Sequence, residues 1–265
     1  ADRPQKIRLA PPFMPLLSVI VITRNEAHNI ADCLASLDFA HERIVLDSGS
    51  TDSTVALAHA AGATVHTTDD WPGFGPQKNR ALDLATGDWV LSIDADERVT
   101  PELRAEIIAV LAGAPTHTAW SMPRSSSYCG QFMRHGGWYP DRVLRLFRRD
   151  SARFSHDLVH EKLLATGSVG QLQADLLHHS FVDLHSVLDK VNRYSSAGAL
   201  ALQQRGKTGS LDKALGHGLW AFVRTYFLKR GFLDGRMGLV LAISNAEGTY
   251  YRYLKLWLRN QTRRP

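Results

Sequence analysis

Between residues 16 and 113 the chain repeats one pattern four times: an apolar run, a polar turn, then a stretch of helical periodicity. LLSVIVIT, residues 16–23, is continuously apolar and rich in β-branched side chains, as expected of a strand buried on both faces. Thr23 or Asn25 then opens a helix that runs to about Leu37. RIVLD (43–47) is a second strand, broken at SGST, and its helix runs from about Thr51 to Ala61 and stops at Gly62. ATVHT (63–67) is a short third strand. The loop WPGFGP follows, with Pro76 at the first position of a helix that ends at Gly87. WVLSID (89–94) is the fourth strand, and Thr100 and Pro101 open a helix that stops at Gly113. Such alternation predicts an α/β fold, a mostly parallel sheet with helices on both faces. Right-handed crossovers bring every strand C-terminus to one edge, so Thr23, Asp47 and Asp94 converge there. Open α/β sheets bind ligands at that edge.

From about Thr116 the alternation stops. TAWSMP and RVLRLF predict further strands in an antiparallel or mixed continuation, separated by the glycine- and aromatic-rich SSSYCGQFMRHGGWYPD. Residues 185–204, 211–230 and about 238–260 read as helices. The expected organisation is a catalytic domain over residues 1–184, with 1–15 a loose, proline-rich leader, and a helical C-terminal region over 185–265. Charge divides along similar lines. Residues 205–265 hold twelve Lys or Arg against Asp212, Asp234 and Glu247, a net of +9, which leaves −4 for the first 204. A basic tail on an acidic body implies an anionic partner for the tail. WAFVRTYFLKRGF and YYRYLKLWLRN mix aromatics, Leu, Lys and Arg in the manner of helices that lie in a membrane interface and attract anionic lipid. Packing of the same helices against the catalytic domain or a partner subunit is the plainer reading. Nucleic acid is disfavoured because no binding motif for it occurs. No stretch reaches the ~18 apolar residues of a membrane-crossing helix. The two cysteines, Cys33 and Cys129, lack metal-ligand spacing and read as packing residues in a reducing compartment.

The chemistry-bearing residues sit at the strand ends. Asp94 and Asp96 end the fourth strand two residues apart, where two carboxylates can hold a divalent cation and, through it, a diphosphate; a strand-end turn with a helix cap is the plain alternative. Glu97 reads as a solvated neighbour. Asp47 can accept from a base imide or a ribose hydroxyl, while Asp52 fits a first-turn helix acid equally well. Thr23 and Glu26 flank the first turn as nucleotide contacts or as caps. Lys78 or Arg80 can neutralise a diphosphate.

SVIVITRNE, DSGSTDST, GPQKNRAL and GDWVLSIDADE together resemble glycosyltransferase family 2, over roughly residues 16–185. The resemblance implies a GT-A (Rossmann-like) fold. It places Mg²⁺ or Mn²⁺ and the diphosphate of a UDP-sugar on Asp94 and Asp96, and nucleotide contact on Thr23, Glu26, Asp47 and Lys78. GGWYPDRVLRLFRR, LVHEKL, HHSFVDLHSVLDKVNRYS and RGFLDGRMG are similar to the branch of bacterial lipopolysaccharide core β-1,4-glucosyltransferases. That branch implies UDP-glucose as donor, a lipid A–core acceptor bearing heptose, and a peripheral position on the cytoplasmic face of the inner membrane. An inverting transferase needs a base for the acceptor hydroxyl. The family's position for it corresponds to Glu161, with Asp157 and Asp141 as rivals because His160 departs from the usual acid. His178 or His179 is a candidate further metal ligand or a structural histidine. Trp138, Tyr139, Arg142 and Arg145 are candidates for an acceptor wall, and the two arginines can equally alternate outward on a strand.

Other activities fit less well. A nucleotidyltransferase would carry a glycine-rich phosphate loop after the first strand, where TRNEAHN stands instead. A dehydrogenase would show GxGxxG there. A non-catalytic membrane- or glycan-binding module would not need both Asp94 and Asp96.

Overall fold

The structure is a computed structural model that describes residues 15–113, 115–156 and 161–261. The chain forms two compact units, Ala1–Met122 with Val143–Asp175, and Pro123–Arg142 with Leu176–Pro265.

In the first unit the elements run β1 (Leu17–Thr23), α1 (Ile30–Ala35), β2 (Glu42–Asp47), α2 (Thr54–Ala60), β3 (Thr64–Thr67), α3 (Phe74–Leu84), β4 (Trp89–Asp94), β5 (Glu97–Val99) and α4 (Pro101–Ala112). β6 (Ala119–Tyr128), β7 (Gln131–Phe132) and β8 (Asp141–Arg148) follow; β7 belongs to the second unit, and β6 and β8 each contribute residues to both units. β9 (Ala152–Phe154), β10 (Leu163–Ala165) and β11 (Val169–Gln171) complete the first unit. β3, β2, β1 and β4 lie side by side, all parallel, as the alternation predicts. β8 then pairs antiparallel with β4, matching Leu91 with Leu146. Thr23 stands opposite Asp47, and Ile22 opposite Asp94, so the three polar strand ends do share one edge.

Side chains alternate across a strand. Ile20, Ile44, Leu46 and Val90 pack with Ala81 and Leu82 of α3, with Ala85 just after it, and with Phe147 and Phe154. Val19, Val21, Val45 and Leu91, which point to the opposite face, are fully buried as well. Both faces of the sheet are therefore covered. α4 starts at the expected place, with Thr100 accepting a hydrogen bond from the Leu103 amide and Pro101 in the first turn.

α1 begins at Ile30 and not at residues 23–25. The amides of Asn25, Glu26 and Ala27 donate to Ser50, Thr54 and Asp52 of the neighbouring loop, and Asn25 takes a left-handed φ of 57°. Those donors are committed across the edge, so the helix starts after them. α2 likewise begins at Thr54, and Phe74 opens α3, which makes Pro76 its third residue. Gly75 is required by close approach: a Cβ there would lie 1.8 Å from the Ser155 carbonyl oxygen. That contact presses the start of α3 against Ser155, with the Glu161 Cβ also close by.

The second unit holds β12 (Leu176–Phe181), α5 (Leu184–Gln204), α6 (Leu211–Val223) and α7 (Gly235–Gln261). Residues between Arg124 and Tyr128 of β6 pair parallel with β12, and Ser127 and Tyr128 pair antiparallel with β7. α5 opens with a capping box of Asp183 and Ser186, and Ser210 caps α6. α6 passes into a π-helical turn at Arg224–Leu228, earlier than the predicted end near residue 230. Tyr128, Met133, Val187 and Leu241 form the buried centre of this unit, and the Tyr128 hydroxyl lies 2.7 Å from Ser244 Oγ. Both cysteines are free thiols, and burial pushes Cys33 up to about 12.

Candidate functional site

Strand β4 delivers Asp94 to the edge, and the next turn adds Asp96 and Glu97. Glu97 is 0% exposed, which corrects its reading as a solvated neighbour. Its carboxylate accepts from the Asp94 amide at 3.0 Å and from Arg145 at 2.6 Å. Arg145 is 7% exposed and also donates to Asp94 Oδ2 at 2.5 Å. Arg145 is thus a buried clamp on two acids, and the outward alternation does not hold for it. It shares a strand face with the fully buried Phe147 two residues on. An arginine on such a face needs buried carboxylates, a signal in the sequence that points to Asp94 and Glu97.

Lys78, from the first turns of α3, is 4% exposed. Its Nζ lies 2.9 Å from Asp94 Oδ1 and donates to Glu161 Oε1 at 2.9 Å. One ammonium therefore joins the first acid of the Asp-x-Asp pair to the candidate base. Arg80, the rival cation, instead forms a two-pronged pair with Asp70 at the surface. Burial works against ionisation of Asp94, but the charges of Arg145 and Lys78 outweigh it and hold the carboxyl well below the usual range. Burial likewise works against the Arg145 cation, and Asp94 and Glu97 together raise it nonetheless. Arg145 Nε is buried with no hydrogen-bond partner among the described residues.

The first two turns lock together beside this cluster. Asp47 is 1% exposed, and its carboxylate takes the Thr23 hydroxyl at 3.1 Å and the Ser50 amide at 2.8 Å. Asn25 Oδ1 accepts from the Thr51 amide, and the Glu26 and Ala27 amides donate to Thr54 and Asp52. Gln77, fully buried, ties α3 to the same edge through Ser48 and Thr68, a role the sequence reading did not assign. The Glu26 carboxyl is raised, first by burial and further by the charge of Asp96. The two are thus electrostatic neighbours, and Asn29 donates to Glu26 at 2.9 Å.

Thr23, Glu26, Asp47, Lys78, Asp94, Asp96 and Glu161 all belong to the first unit. The other candidates are engaged elsewhere. Asp141 pairs with Arg124 in the second unit. Asp157 and His160 lie outside the described residues. His178 Nδ1 is 2.9 Å from Ser126 Oγ, and the His179 ring meets Phe132 edge-on. Trp138 packs edge-on against Tyr128, and Tyr139 lies under Arg134. Arg142 is exposed.

The donor set suits a hard divalent cation. Asp94 and Asp96 are carboxylates, although both Asp94 oxygens already meet cations, Oδ1 Lys78 and Oδ2 Arg145, and among the described residues no three His, Cys, Asp or Glu are placed to hold a metal ion. Two carboxylates with positions left for water and phosphate oxygens are what Mg²⁺ or Mn²⁺ accepts.

The family model for Glycosyl transferase family 2 matches residues 18–163. The lipopolysaccharide core biosynthesis glycosyltransferase LpsC of Rhizobium meliloti (strain 1021) is 30% identical over 260 residues, covering 91% of this chain and 94% of that protein. An uncharacterized glycosyltransferase, RP128, of Rickettsia prowazekii (strain Madrid E) is 30% identical over 255 residues, covering 92% and 87%. Among solved structures, the mannosyltransferase PcManGT from Pyrobaculum calidifontis, in complex with GDP-Man and Mn²⁺, superposes with a TM-score of 0.51 at 17% identity. The match spans 94% of this chain and 77% of that one. The fold is GT-A, as the resemblance implies.

Two outcomes follow from the buried ion cluster. Arg145→Met leaves Glu97 and Asp94 side by side without their shared cation, and a loss of about 3–5 kcal/mol is expected in urea unfolding at neutral pH. The depressed Asp94 carboxyl contributes stability that is present above its unfolded value of ~3.9 and is lost as pH falls toward its folded value. The raised Glu26 acts in the opposite sense. Stability measured from neutral pH downward should therefore fall more steeply below about pH 4 in the parent than in Asp94→Asn. Equal slopes would remove Asp94 from the account.

Proposed function

This chain belongs to glycosyl transferase family 2, and from that premise we propose an inverting, metal-dependent transferase that moves glucose from UDP-glucose to inner-core heptose of lipopolysaccharide. The observation that carries this reading is the Lys78 ammonium held between Asp94 and Glu161, with Asp96 on the same turn as Asp94.

An ammonium has three donors. Two go to Asp94 and Glu161, and the third is left for a phosphate oxygen of the donor. Asp94 and Asp96 would hold Mg²⁺ or Mn²⁺, which when bound supplies positive charge for the departing diphosphate. Glu161, fixed by Lys78 at 2.9 Å, takes the proton of the acceptor hydroxyl as that oxygen bonds to the sugar's anomeric carbon. The bond from the anomeric carbon to UDP breaks on the opposite side, and the electron pair leaves with UDP. Thr23 and Asp47 shape the nucleotide edge through their mutual hydrogen bond, and Glu26 borders it beside Asp96. The name of LpsC supports a lipopolysaccharide core acceptor, and the branch resemblance supports glucose and heptose.

A membrane-linked acceptor calls for a membrane-facing surface. Leu211, Leu215 and Leu219 recur every four residues along α6, and all three are exposed beside an exposed Trp220. The exposed Phe227 and Leu228 precede Lys229 and Arg230. Apolar side chains rimmed by cations suit the interface of an anionic bilayer, and this supports a peripheral position on the cytoplasmic face of the inner membrane. No helix among the described residues is long and apolar enough to cross a membrane.

UDP release from a panel of UDP-sugars, with Mg²⁺ or Mn²⁺ and heptose-terminated core lipid, tests the catalytic reading. Acceptor-dependent release from UDP-glucose is expected, with a loss of about a hundredfold or more in Asp96→Ala. No release from any donor, with lipid binding retained, would turn the reading toward a non-catalytic glycan- or membrane-binding module. For the membrane face, Leu215→Glu with Leu219→Glu should abolish co-sedimentation with phosphatidylglycerol vesicles. Unchanged co-sedimentation would move the contact elsewhere.

A further inference from the structure

The second unit contains a cavity of about 550 Å³, a volume in the range of small-ligand sites. Four cations border it: Lys190 of α5, Arg224 of the π-helical turn, Lys229 just after that turn, and Arg252 of α7. No Asp or Glu is among its lining residues. For Arg224, Lys229 and Arg252 the described residues provide no ion-pair partner. Elsewhere in the chain, Arg80, Arg104, Arg124 and Arg153 each reach an acid. Three unpaired cations around one hollow, beside a fourth, make a positive field that attracts an anion.

The cations are also seated by the backbone. A Cβ at Gly198 would come within 2.8 Å of Arg252 Nε, so α5 is bare of a side chain where that guanidinium crosses it. The stem of Lys229 lies in van der Waals contact with the space above Gly137. Lys190 Nζ stands 4.4 Å from the centre of the Phe181 ring. The remaining wall is aromatic, with Trp138 and Phe181 tilted against each other at 5.8 Å. Flat apolar rings suit the C–H face of a sugar. Guanidinium and ammonium groups suit a phosphate monoester, with hydroxyls such as Thr249 at hand for ring oxygens.

We propose that this cavity is a binding site for a phosphorylated saccharide, its phosphate held by Arg224, Lys229, Arg252 and Lys190 and its ring laid on the Trp138 and Phe181 wall. Under the transferase reading, on which this extension rests, the ligand is the phosphate-bearing part of the acceptor. The site would then select phosphorylated over unphosphorylated acceptors.

Calorimetric titration of the full chain with mannose 6-phosphate, mannose and inorganic phosphate tests the site without turnover. Mannose 6-phosphate is expected to bind saturably, at least about tenfold tighter than either mannose or inorganic phosphate. Arg224→Gln with Arg252→Gln should weaken it by about tenfold or more, and Lys190→Gln should do so in its own right. Circular dichroism checks that each variant keeps its helices. Equal binding of mannose and mannose 6-phosphate overturns the proposal, as does unchanged affinity in folded variants. Mixed phosphatidylcholine–phosphatidylglycerol vesicles form a separate arm. If the variants lose vesicle binding while sugar phosphate affinity stays put, the cations serve a lipid surface and the saccharide site is overturned. Titration of the unmodified protein with UDP reads the first unit separately, so failure of the nucleotide reading and failure of this one give different results.

Discussion

The edge of the sheet depends on one buried guanidinium. Arg145 comes from β8, the strand that turns the sheet antiparallel, and it reaches Asp94 and Glu97 across β4. Without it, Asp94 and Glu97, three positions apart, would stand together at the end of a strand with no cation between them. Low dielectric makes unpaired buried charge costly, and a shared cation with direct hydrogen bonds removes that cost. The same interaction fixes which way Asp94 faces. Asp94 then meets Lys78, and Lys78 meets Glu161, so the geometry of the site is a chain of charges that starts in the core. Arg145 does no chemistry in this scheme. It sets the place where chemistry is possible.

The four parallel strands were legible because each is a short apolar run followed by a polar turn, and the register brings Thr23, Asp47 and Asp94 together as the alternation implies. The three C-terminal helices were legible from periodicity, and their observed limits lie close to the predicted ones. Helix starts at the edge were not. Asn25 and Thr51 look like helix starts, but the amides there are used across loops, an arrangement that depends on a neighbour distant in sequence. Glu97 and Arg145 were misread for the same reason. A charged residue in isolation reads as solvated, and only the pairing of β4 with β8 brings these two within 2.6 Å. Position in the helix alone could not separate Lys78 from Arg80, and only the family resemblance favoured Lys78, because which of them turns inward rests on the pitch of α3 against the strand beneath it. The packing at Gly75 is part of what sets that pitch.

The second unit shows a different economy of charge. In the first unit nearly every buried ion has a partner of opposite sign. In the second, Lys255 donates to the hydroxyls of Ser195 and Ser196 and to the oxygens of Asn192, while Arg224, Lys229 and Arg252, which face the cavity, meet no acid among the described residues. The excess of basic residues after residue 205 is therefore not a uniform coating. Part is absorbed by neutral oxygens, part flanks exposed apolar side chains, and part gathers around one hollow.

The interlocked turns after β1 and β2 carry a consequence of another kind. Their hydrogen bonds run from loop to loop, Asn25 with Ser50 and Thr51, Ala27 with Asp52, Glu26 with Thr54. Neither loop can be redesigned or diversified alone. A substitution at Asp52 releases an amide on the other loop, and a shift at Asn25 unseats two residues some twenty-five positions away. The pair works as a single unit of design. Any change in what this rim recognises would have to proceed by compensated steps, with both segments altered in concert.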